Sequence, residues 1–456
     1  MHWSAAAVEA ATRGRLVTAS LPPDDPGGFG GVGIDSRQIC SGALFVPLRA
    51  ERDGHEYVAA AVRAGAAGYL FEAGRLSDAS GARVLDGPGI GIEVADTAAA
   101  LLELGRAARD RLEVPVVGIT GSVGKTSTKD MMARVLRTTW RTAASERSFN
   151  NELGVPLTLA NAPADTEIAV IEMGARRPGQ IALLCGVARP TIAVVTVIAA
   201  VHTEMFGSID AVAQAKGELV EAVEPGGLVV LNADDARVAA LAARTRADVL
   251  RYSAAGAVVA DVTATDVRVG EDLRPNFLLS SPWGSERVTL GVRGAHQIGN
   301  ALAAATVALQ QGVPVAVVTA ALAEATLSPW RMELVVAPSG AVVLNDAYNA
   351  NPGSMAAALR ALAVLPARRR VAVVGAMAEL GVTGPAEHRA IALLAEELGV
   401  DLIPLGTAEY GPTPVAGIDE AVARLGPLGD GDAVLVKASR VVGLERLAAR
   451  LTAVPT

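Results

Sequence analysis

Aromatic side chains make up only 3% of the 456 residues, cysteine occurs twice, and the formal net charge is -8. Each scarcity excludes something. A nucleic-acid binder needs a basic footprint and, for single strands, aromatic platforms on which bases stack. Neither is available here. Cys40 and Cys185 show no CxxC spacing, so neither a zinc site nor a disulfide framework is expected. Isolated thiols suit a reducing cytoplasm. The opening stretch, MHWSAAAVEAATRGRLVTA, carries Glu9 and two arginines and lacks an uninterrupted apolar core, so it does not read as a signal peptide. The longest apolar runs, such as the one after Pro190, fall short of the roughly 18–20 residues that span a bilayer. The expectation is a soluble cytoplasmic chain without nucleic-acid or membrane partners. Small phosphorylated molecules remain within reach, because backbone N–H groups and one or two lysines suffice for them.

Hydrophobic residues make up 51%, enough for a folded core, and the length predicts two or three domains. Three blocks can be read. Residues 1–108 mix short strand-like pieces such as Gly42 to Pro47 with Ala-rich helical stretches. Residues 109–327 open with the strand VPVVGIT and continue with IAVIEM, TIAVVTV and GLVVLN, each alternating with a helical segment. That alternation implies βαβ units and a parallel sheet. Between Ala260 and Val292 the pattern becomes alternating strands without a helix, a small antiparallel extension. A helix from about Asn300 then leads to a boundary near Ser328. Residues 328–456 repeat strand then helix through AVVLNDAY, RVAVVGAM, DLIPLG and DAVLVKAS, a second doubly wound unit of Rossmann-like architecture.

The sharpest motif is GITGSVGKTSTKDM, Gly118 to Met131, which follows a strand and opens a helix. Gly121 and Gly124 permit a tight turn that aims N–H groups at phosphate oxygens. Lys125 sets a positive charge on the β- and γ-phosphates, and the Thr126 hydroxyl can ligate Mg²⁺. Ile119 stands where the common phosphate loop has glycine, so the loop is not of the common form. Glu172 ends a predicted parallel strand, where a hard oxygen ligand suits Mg²⁺. Lys216, taken by itself, reads as an exposed helical lysine.

TGSVGKTS (residues 120–127) resembles the nucleotide loop of the Mur ligase family, and the likeness extends over nearly the whole chain. FNNELGVPLTL, IEMGA, HTEMFGS, AKGEL, GAHQIGNALAA, WRMEL and NDAYNANPGSM are similar to successive segments of that family. DAYNANP, GAMAELG and LVKASR resemble the branch that adds D-alanyl-D-alanine to a UDP-linked muramoyl tripeptide. DSRQICSGALFVPLRAERDGHEY (residues 35–57) resembles that branch's UDP-sugar domain. Four positions depart from its pattern. Val197 and Gln297 each replace a usual Asn, Ala376 a usual Asp, and Ala438 a usual Gly.

The resemblance implies an α/β protein of three domains: residues 1–108 binding the UDP-sugar, a central P-loop ATPase domain over 109–327, and a Rossmann-like domain over 328–456. It implies an ATP-dependent ligase, usually a monomer, whose substrates are UDP-N-acetylmuramoyl-tripeptide and D-alanyl-D-alanine. Around ATP it sets Gly121, Ser122, Val123, Gly124, Lys125, Thr126 and Ser127, with Asn150, Asn151, His296, Asn300, Arg331 and Asp346. Thr126, Glu172, His202 and Lys216 would hold two Mg²⁺ ions, Lys216 as a carbamate formed with CO₂. That modification needs a neutral amine, which desolvation favours. Lys125, Glu172, His202, Lys216 and Arg331 would be catalytic. Ser36, Arg37 and His55 would anchor the UDP-sugar. Tyr348, Asn349, Asn351, Ser354, Lys437 and Arg440 would line the peptide and dipeptide site. The same phosphate loop would serve a kinase or a nucleotide-binding regulatory module, but neither needs a lysine placed to become a carbamate.

Overall fold

A computed structural model describes residues 1–17, 28–76, 89–146, 148–199, 203–256 and 259–453. His202 lies outside the described residues. The chain divides into two compact units, and it passes between them several times. One unit contains residues 1–118, 140–174 and 179–192. The other contains residues 119–139, 175–178 and 193–456.

In the first unit, strands β1 (Arg15–Leu16), β2 (Val32–Gly33), β3 (Leu44–Phe45), β4 (Gly68–Glu72) and β5 (Ile90–Val94) form a five-stranded sheet in the order β1-β5-β4-β3-β2. All neighbours are parallel except β1 against β5. β4 is buried along its whole length, as strands covered on both faces are. Phe45, Val58, Ala61, Tyr69 and Phe71 make one core cluster. Helix α1 (Thr97–Arg111) starts where the Asp96 carboxylate accepts the Ala99 N–H at 2.8 Å, and it ends on Arg109 and Arg111, which suit the negative end of its dipole. The Arg111 guanidinium covers the buried Trp3 ring at 4.2 Å, and the Trp3 indole N–H donates to the Ala160 carbonyl at 3.0 Å. Asn161 acts as a false strand partner, accepting from Val32 N and donating to Val32 O at 2.8 and 2.9 Å.

The chain leaves this unit inside β6 (Val116–Thr120), the strand predicted ahead of the phosphate loop. Helix α2 (Lys125–Leu136) follows the loop in the second unit. Back in the first unit, β7 (Thr142–Ala144) pairs in parallel with β8 (Ile168–Glu172). In the second, β9 (Ile192–Val195) leads to helix α3 (Ile209–Glu221) and to β10 (Leu228–Asn232), β11 (Asp248–Ser253), β12 (Val262–Val269), β13 (Pro275–Ser281) and β14 (Gly284–Thr289). β10, β11 and β12 are parallel, and β12, β13 and β14 antiparallel, so the extension read from the sequence is present. Helix α4 (Gln297–Gln310) begins three residues before Asn300 and packs along α2.

The second unit also carries a five-stranded sheet, β15 (Glu333–Val336), β16 (Val342–Asn345), β17 (Arg369–Val374), β18 (Asp401–Pro404) and β19 (Asp432–Lys437), in the order β15-β16-β19-β17-β18. Helices α5 (Pro352–Val364), α6 (Gly384–Glu397), α7 (Ile418–Leu425) and α8 (Glu445–Thr452) follow the four strands read from the sequence. β15 is an additional antiparallel edge strand, short and half exposed, which keeps an open edge from inviting further pairing. The protein is thus α/β with several parallel-rich sheets. Among the described residues, no helix is long and apolar enough to cross a membrane.

Leu435 is fully buried in the central strand β19, in register with Leu344 and Ala372. Leu435→Ala should therefore cost about 2–5 kcal/mol, the usual range for a cavity in a close-packed core. A urea titration read by tryptophan fluorescence would show the lowered midpoint.

Candidate functional site

The phosphate loop is braced from behind. Gly121 (φ +150°) and Gly124 (φ +88°) lie where side chains are disfavoured. A Cβ on Gly121 would stand 2.0 Å from Thr196 Oγ1, and one on Gly124 would stand 2.4 Å from Asn300 Oδ1. The neighbours that exclude those methyl groups also hold the loop. Thr196 Oγ1 donates to Val123 O at 2.5 Å. Ser122 N donates to Val197 O at 2.7 Å, and the Ser122 hydroxyl exchanges two 3.0 Å bonds with Ala199. Asn232 and Asp235 hold the supporting segment in turn, through Thr196 O and Ile198 N. Lys125 Nζ donates back to Gly121 O at 2.7 Å. Thr126 and Ser127 are buried at the start of α2, whose first N–H groups have no partner inside the helix. That end therefore suits an anion.

Asn300, expected near the nucleotide, stands behind the loop: Oδ1 accepts from Thr128 Oγ1 at 3.2 Å and Nδ2 donates to Gln297 Oε1 at 2.8 Å. Gln297 thus has a bracing role despite departing from the family pattern. His296 lies at the exposed start of α4, within electrostatic reach of both Asp346 and Lys437.

In the first unit, Glu172 ends β8 and is 1% exposed. Its Oε1 accepts from Asn150 Nδ2 at 2.7 Å, while Oε2 is buried with no hydrogen-bond partner among the described residues. An unpartnered buried carboxylate oxygen is costly unless something binds it. Asn150 is therefore committed to Glu172, and Asn151 Oδ1 accepts from Leu153 and Gly154 N–H at the start of a helix.

Ser36 and Arg37 follow the carboxyl end of β2, where Asp35 grips Arg37 through three hydrogen bonds of 2.7–3.0 Å. These bonds hold the Asp35 carboxyl below its ordinary range. His55 follows β3 and is buried, with Nδ1 2.6 Å from Asp53 Oδ1 and Nε2 accepting the Glu72 N–H at 3.1 Å. Both ring nitrogens are engaged within the protein. Arg49 and Arg75 flank the buried Glu72 at 3.6 and 3.5 Å. Two clefts of about 340 and 450 Å³ open at these strand ends, the first lined by Arg49, Glu72, Asp96 and Thr97 and the second by Asp53, His55 and Arg75. Sequence reasoning missed Glu72 and Arg75, which lie outside the segment that carries the resemblance.

Lys216 is not an exposed helical lysine. It sits in the middle of α3 with 2% exposure, among the largest fully buried side chains. Its helix turns it inward with Val212, Ala215, Leu219 and Val220.

The second five-stranded sheet draws the remaining candidates together. Asp346 follows β16 and Lys437 ends β19, the parallel neighbour. Lys437 Nζ donates to Asp346 Oδ2 at 2.5 Å and to Asn349 O at 2.8 Å, with both charged groups largely buried. Asn351 and Ser354 form a capping box for α5, so their polar atoms are committed to the helix start. The Arg331 guanidinium lies 3.9 Å over the Tyr348 ring, and its Nε is buried without a hydrogen-bond partner among the described residues. Arg440 covers the Trp330 ring at 4.5 Å and pairs with Glu445 at 2.8 Å. Beyond these, the buried His388 accepts the Met377 N–H at 2.9 Å and so holds the GAMAELG turn, a role its isolated place in the sequence does not signal.

The model of the Mur ligase middle domain matches residues 119–308, and that of the Mur ligase, glutamate ligase domain matches residues 330–440. The UDP-N-acetylmuramoyl-tripeptide–D-alanyl-D-alanine ligase of Mycobacterium tuberculosis is 41% identical across 93% of this chain and 92% of its own length. The chain belongs to the Mur ligase family. Its likeness to the ligase of the same name from Escherichia coli is 36% across 86% of this chain and 84% of that one. Among solved structures, MurF from Acinetobacter baumannii superposes with a TM-score of 0.86 at 29% identity, covering 99% of both chains. MurF ligase from Thermotoga maritima, solved in complex with ADP, gives 0.79 at 26% identity over 92% of this chain and 97% of that one. As a Mur ligase, the protein has its phosphate loop and Lys216 inside the middle-domain match. The candidates from Arg331 to Arg440 lie inside the second match. Ser36, Arg37 and His55 precede both matches, and there the full-length relatives supply the likeness.

The Asp346–Lys437 pair generates a stability prediction. Removing one partner leaves a buried charge alone, which typically costs about 3–5 kcal/mol. Asp346→Ala should lower the urea midpoint sharply. Asp346→Ala combined with Lys437→Met should recover much of that loss, because no unpaired ammonium remains. A double variant as unstable as the single one would contradict this account.

Proposed function

We propose that the protein is an ATP-dependent ligase that joins D-alanyl-D-alanine to UDP-N-acetylmuramoyl-tripeptide, a step of peptidoglycan precursor synthesis in the cytoplasm. The observation that carries this reading is the match along 93% of the chain to a ligase named for this reaction. The geometry agrees with it. Clefts edged by arginines occupy the strand ends of the N-terminal sheet, which suits a diphosphate sugar. The start of α2 suits the ATP phosphates. Arg331, stacked and with an Nε that has no partner among the described residues, suits a γ-phosphate on which charge develops.

Thr126, Glu172, His202 and Lys216 are the proposed holders of two Mg²⁺ ions. The unpartnered Oε2 of Glu172 fits a hard cation. Divalent ions there would neutralise charge on the transferring phosphoryl group. The burial of Lys216 fits a carbamate, since loss of water favours the neutral amine that reacts with CO₂. In the reaction, the tripeptide carboxylate attacks the γ-phosphorus, the bond to the ADP oxygen breaks, and an acyl phosphate forms. The dipeptide amine then attacks the acyl carbon, and phosphate leaves the tetrahedral intermediate as the amine loses its proton. Lys125 and Arg331 would hold the phosphoryl oxygens. Residues 1–108, 109–327 and 328–456 are the proposed UDP-sugar, ATP and dipeptide domains. Closure of the last two would exclude the water that hydrolyses an acyl phosphate.

Phosphate release should require UDP-tripeptide and D-alanyl-D-alanine together, and replacing the dipeptide by glutamate or L-alanine should abolish it. Lys125→Ala and Lys216→Ala should each reduce turnover on the order of a hundredfold. Full turnover by Lys216→Ala would remove the carbamate from the reading. Release that depends on a glutamate acceptor would replace the reaction itself.

A further inference from the structure

Arg331 is carried on an unusual piece of backbone. The residues on either side of it, Trp330 (φ +63°) and Met332 (φ +52°), both lie in the left-handed region, which bulky side chains rarely enter. Such a pair persists only where the surroundings over-determine it. Here the bonds that do so can be named. Glu333 Oε1 accepts the Trp330 N–H at 2.9 Å. Glu333 Oε2 accepts from the buried Asn345 Nδ2 at 3.0 Å, its opposite number in the β15–β16 register. Asp346 Oδ1 accepts the Met332 N–H at 3.1 Å, and Trp330 O accepts from Tyr348 N at 3.2 Å. The last bond sets Arg331 against the Tyr348 ring.

We propose that Glu333 is a positioning residue for the ligase reaction: its carboxylate ties Trp330 N–H to Asn345 and so fixes the twisted strap that presents the Arg331 guanidinium. Asp346 holds the other side of the strap but is itself fixed by Lys437. Glu333 is the half-exposed group on which the Trp330 side depends. With the carboxylate gone, the strap relaxes toward ordinary backbone angles and the guanidinium leaves the place where charge develops. Misplacement of about 1 Å can cost up to about a hundredfold in rate.

This inference rests on the proposed role of Arg331, so the experiment compares Glu333→Ala, Glu333→Gln, Arg331→Ala and the double variant Glu333→Ala/Arg331→Ala. Turnover is measured at saturating substrates, KM for UDP-tripeptide is measured separately, and thermal melting is followed for each protein. Glu333→Ala is expected to lower kcat on the order of tenfold with KM for UDP-tripeptide unchanged. Glu333→Gln keeps an acceptor for Trp330 N–H and should lose about threefold or less, at the parent's melting temperature. Most diagnostic is the double variant. If Glu333 acts through Arg331, it should be no slower than Arg331→Ala alone. Additive losses, or normal kcat in both Glu333 variants beside a slow Arg331→Ala, would overturn the inference. Should Glu333→Ala fail to melt cooperatively, Glu333→Asp takes its place, because its shorter side chain cannot span from Trp330 N–H to Asn345, and normal kcat in that variant beside a slow Arg331→Ala would overturn the inference equally. A fast Arg331→Ala would instead sink the proposed role of Arg331.

Discussion

Parallel pairing places the carboxyl ends of neighbouring strands along one edge of a sheet, and the residues proposed for the chemistry of this protein lie on such edges. Ser36 and Arg37 follow β2, Arg49 and His55 follow β3, and Glu72 closes β4. The phosphate loop follows β6, Glu172 closes β8, Asp346 follows β16 and Lys437 closes β19. An edge of this kind is where open α/β sheets bind ligands, because loops leave it without crossing the sheet. The strands themselves read as continuous apolar runs, buried on both faces. Polar groups can therefore appear only where each run ends, and there they meet groups from neighbours distant in sequence.

That constraint explains what could be read from the sequence and what could not. A glycine loop between a strand and a helix is local, so its chemistry is visible in eight residues. The four strand-helix repeats of the C-terminal third were visible for the same reason. The Asp346–Lys437 bond was not. The two residues stand 91 positions apart, and nothing local says that β16 and β19 are neighbours while β17 lies beyond them. Lys216 reads as an exposed lysine because charge usually marks the solvated stripe of a helix. Its helix instead buries that position beside Val212, Ala215, Leu219 and Val220. Asn351 and Ser354, read as substrate contacts, are committed to a capping box, a local motif that also fits the letters N-P-G-S. The likeness to a family supplied the segments but could not apportion work among the polar atoms inside them.

Buried histidines show the same division. His55 and His388 are far apart in the chain and belong to different sheets, yet each uses one nitrogen to accept a backbone N–H, from Glu72 and from Met377. The other nitrogen of each faces a carboxylate, Asp53 or Glu409. His55 pins the last residue of β4, and His388 pins the turn that follows β17. A lone histidine in a sequence is more often structural than a ligand, and in these two places the geometry shows it bonded to backbone at or just past the end of a strand.

Stillness has a physical reason in a protein that handles phosphoryl groups. Donors aimed at developing charge help only if they need not reorganise as the reaction proceeds. A loop that gives its N–H groups to a ligand cannot also tie them up within itself, so its rigidity must come from other atoms. In the phosphate loop one N–H, that of Ser122, is held by Val197 O, and the rest of the bracing comes from Thr196 on the Val123 carbonyl, the Ser122 hydroxyl on Ala199 and Asn300 on the Thr128 hydroxyl. Around Arg331 the carboxylates of Glu333 and Asp346 serve, and the guanidinium Nε has no hydrogen-bond partner among the described residues. In both places bonds from neighbouring segments hold the piece of chain that carries the donor. The strain at Trp330 and Met332 and the two glycine turns are consequences of that arrangement, since a donor aimed outward by its neighbours cannot also take the most comfortable backbone angles.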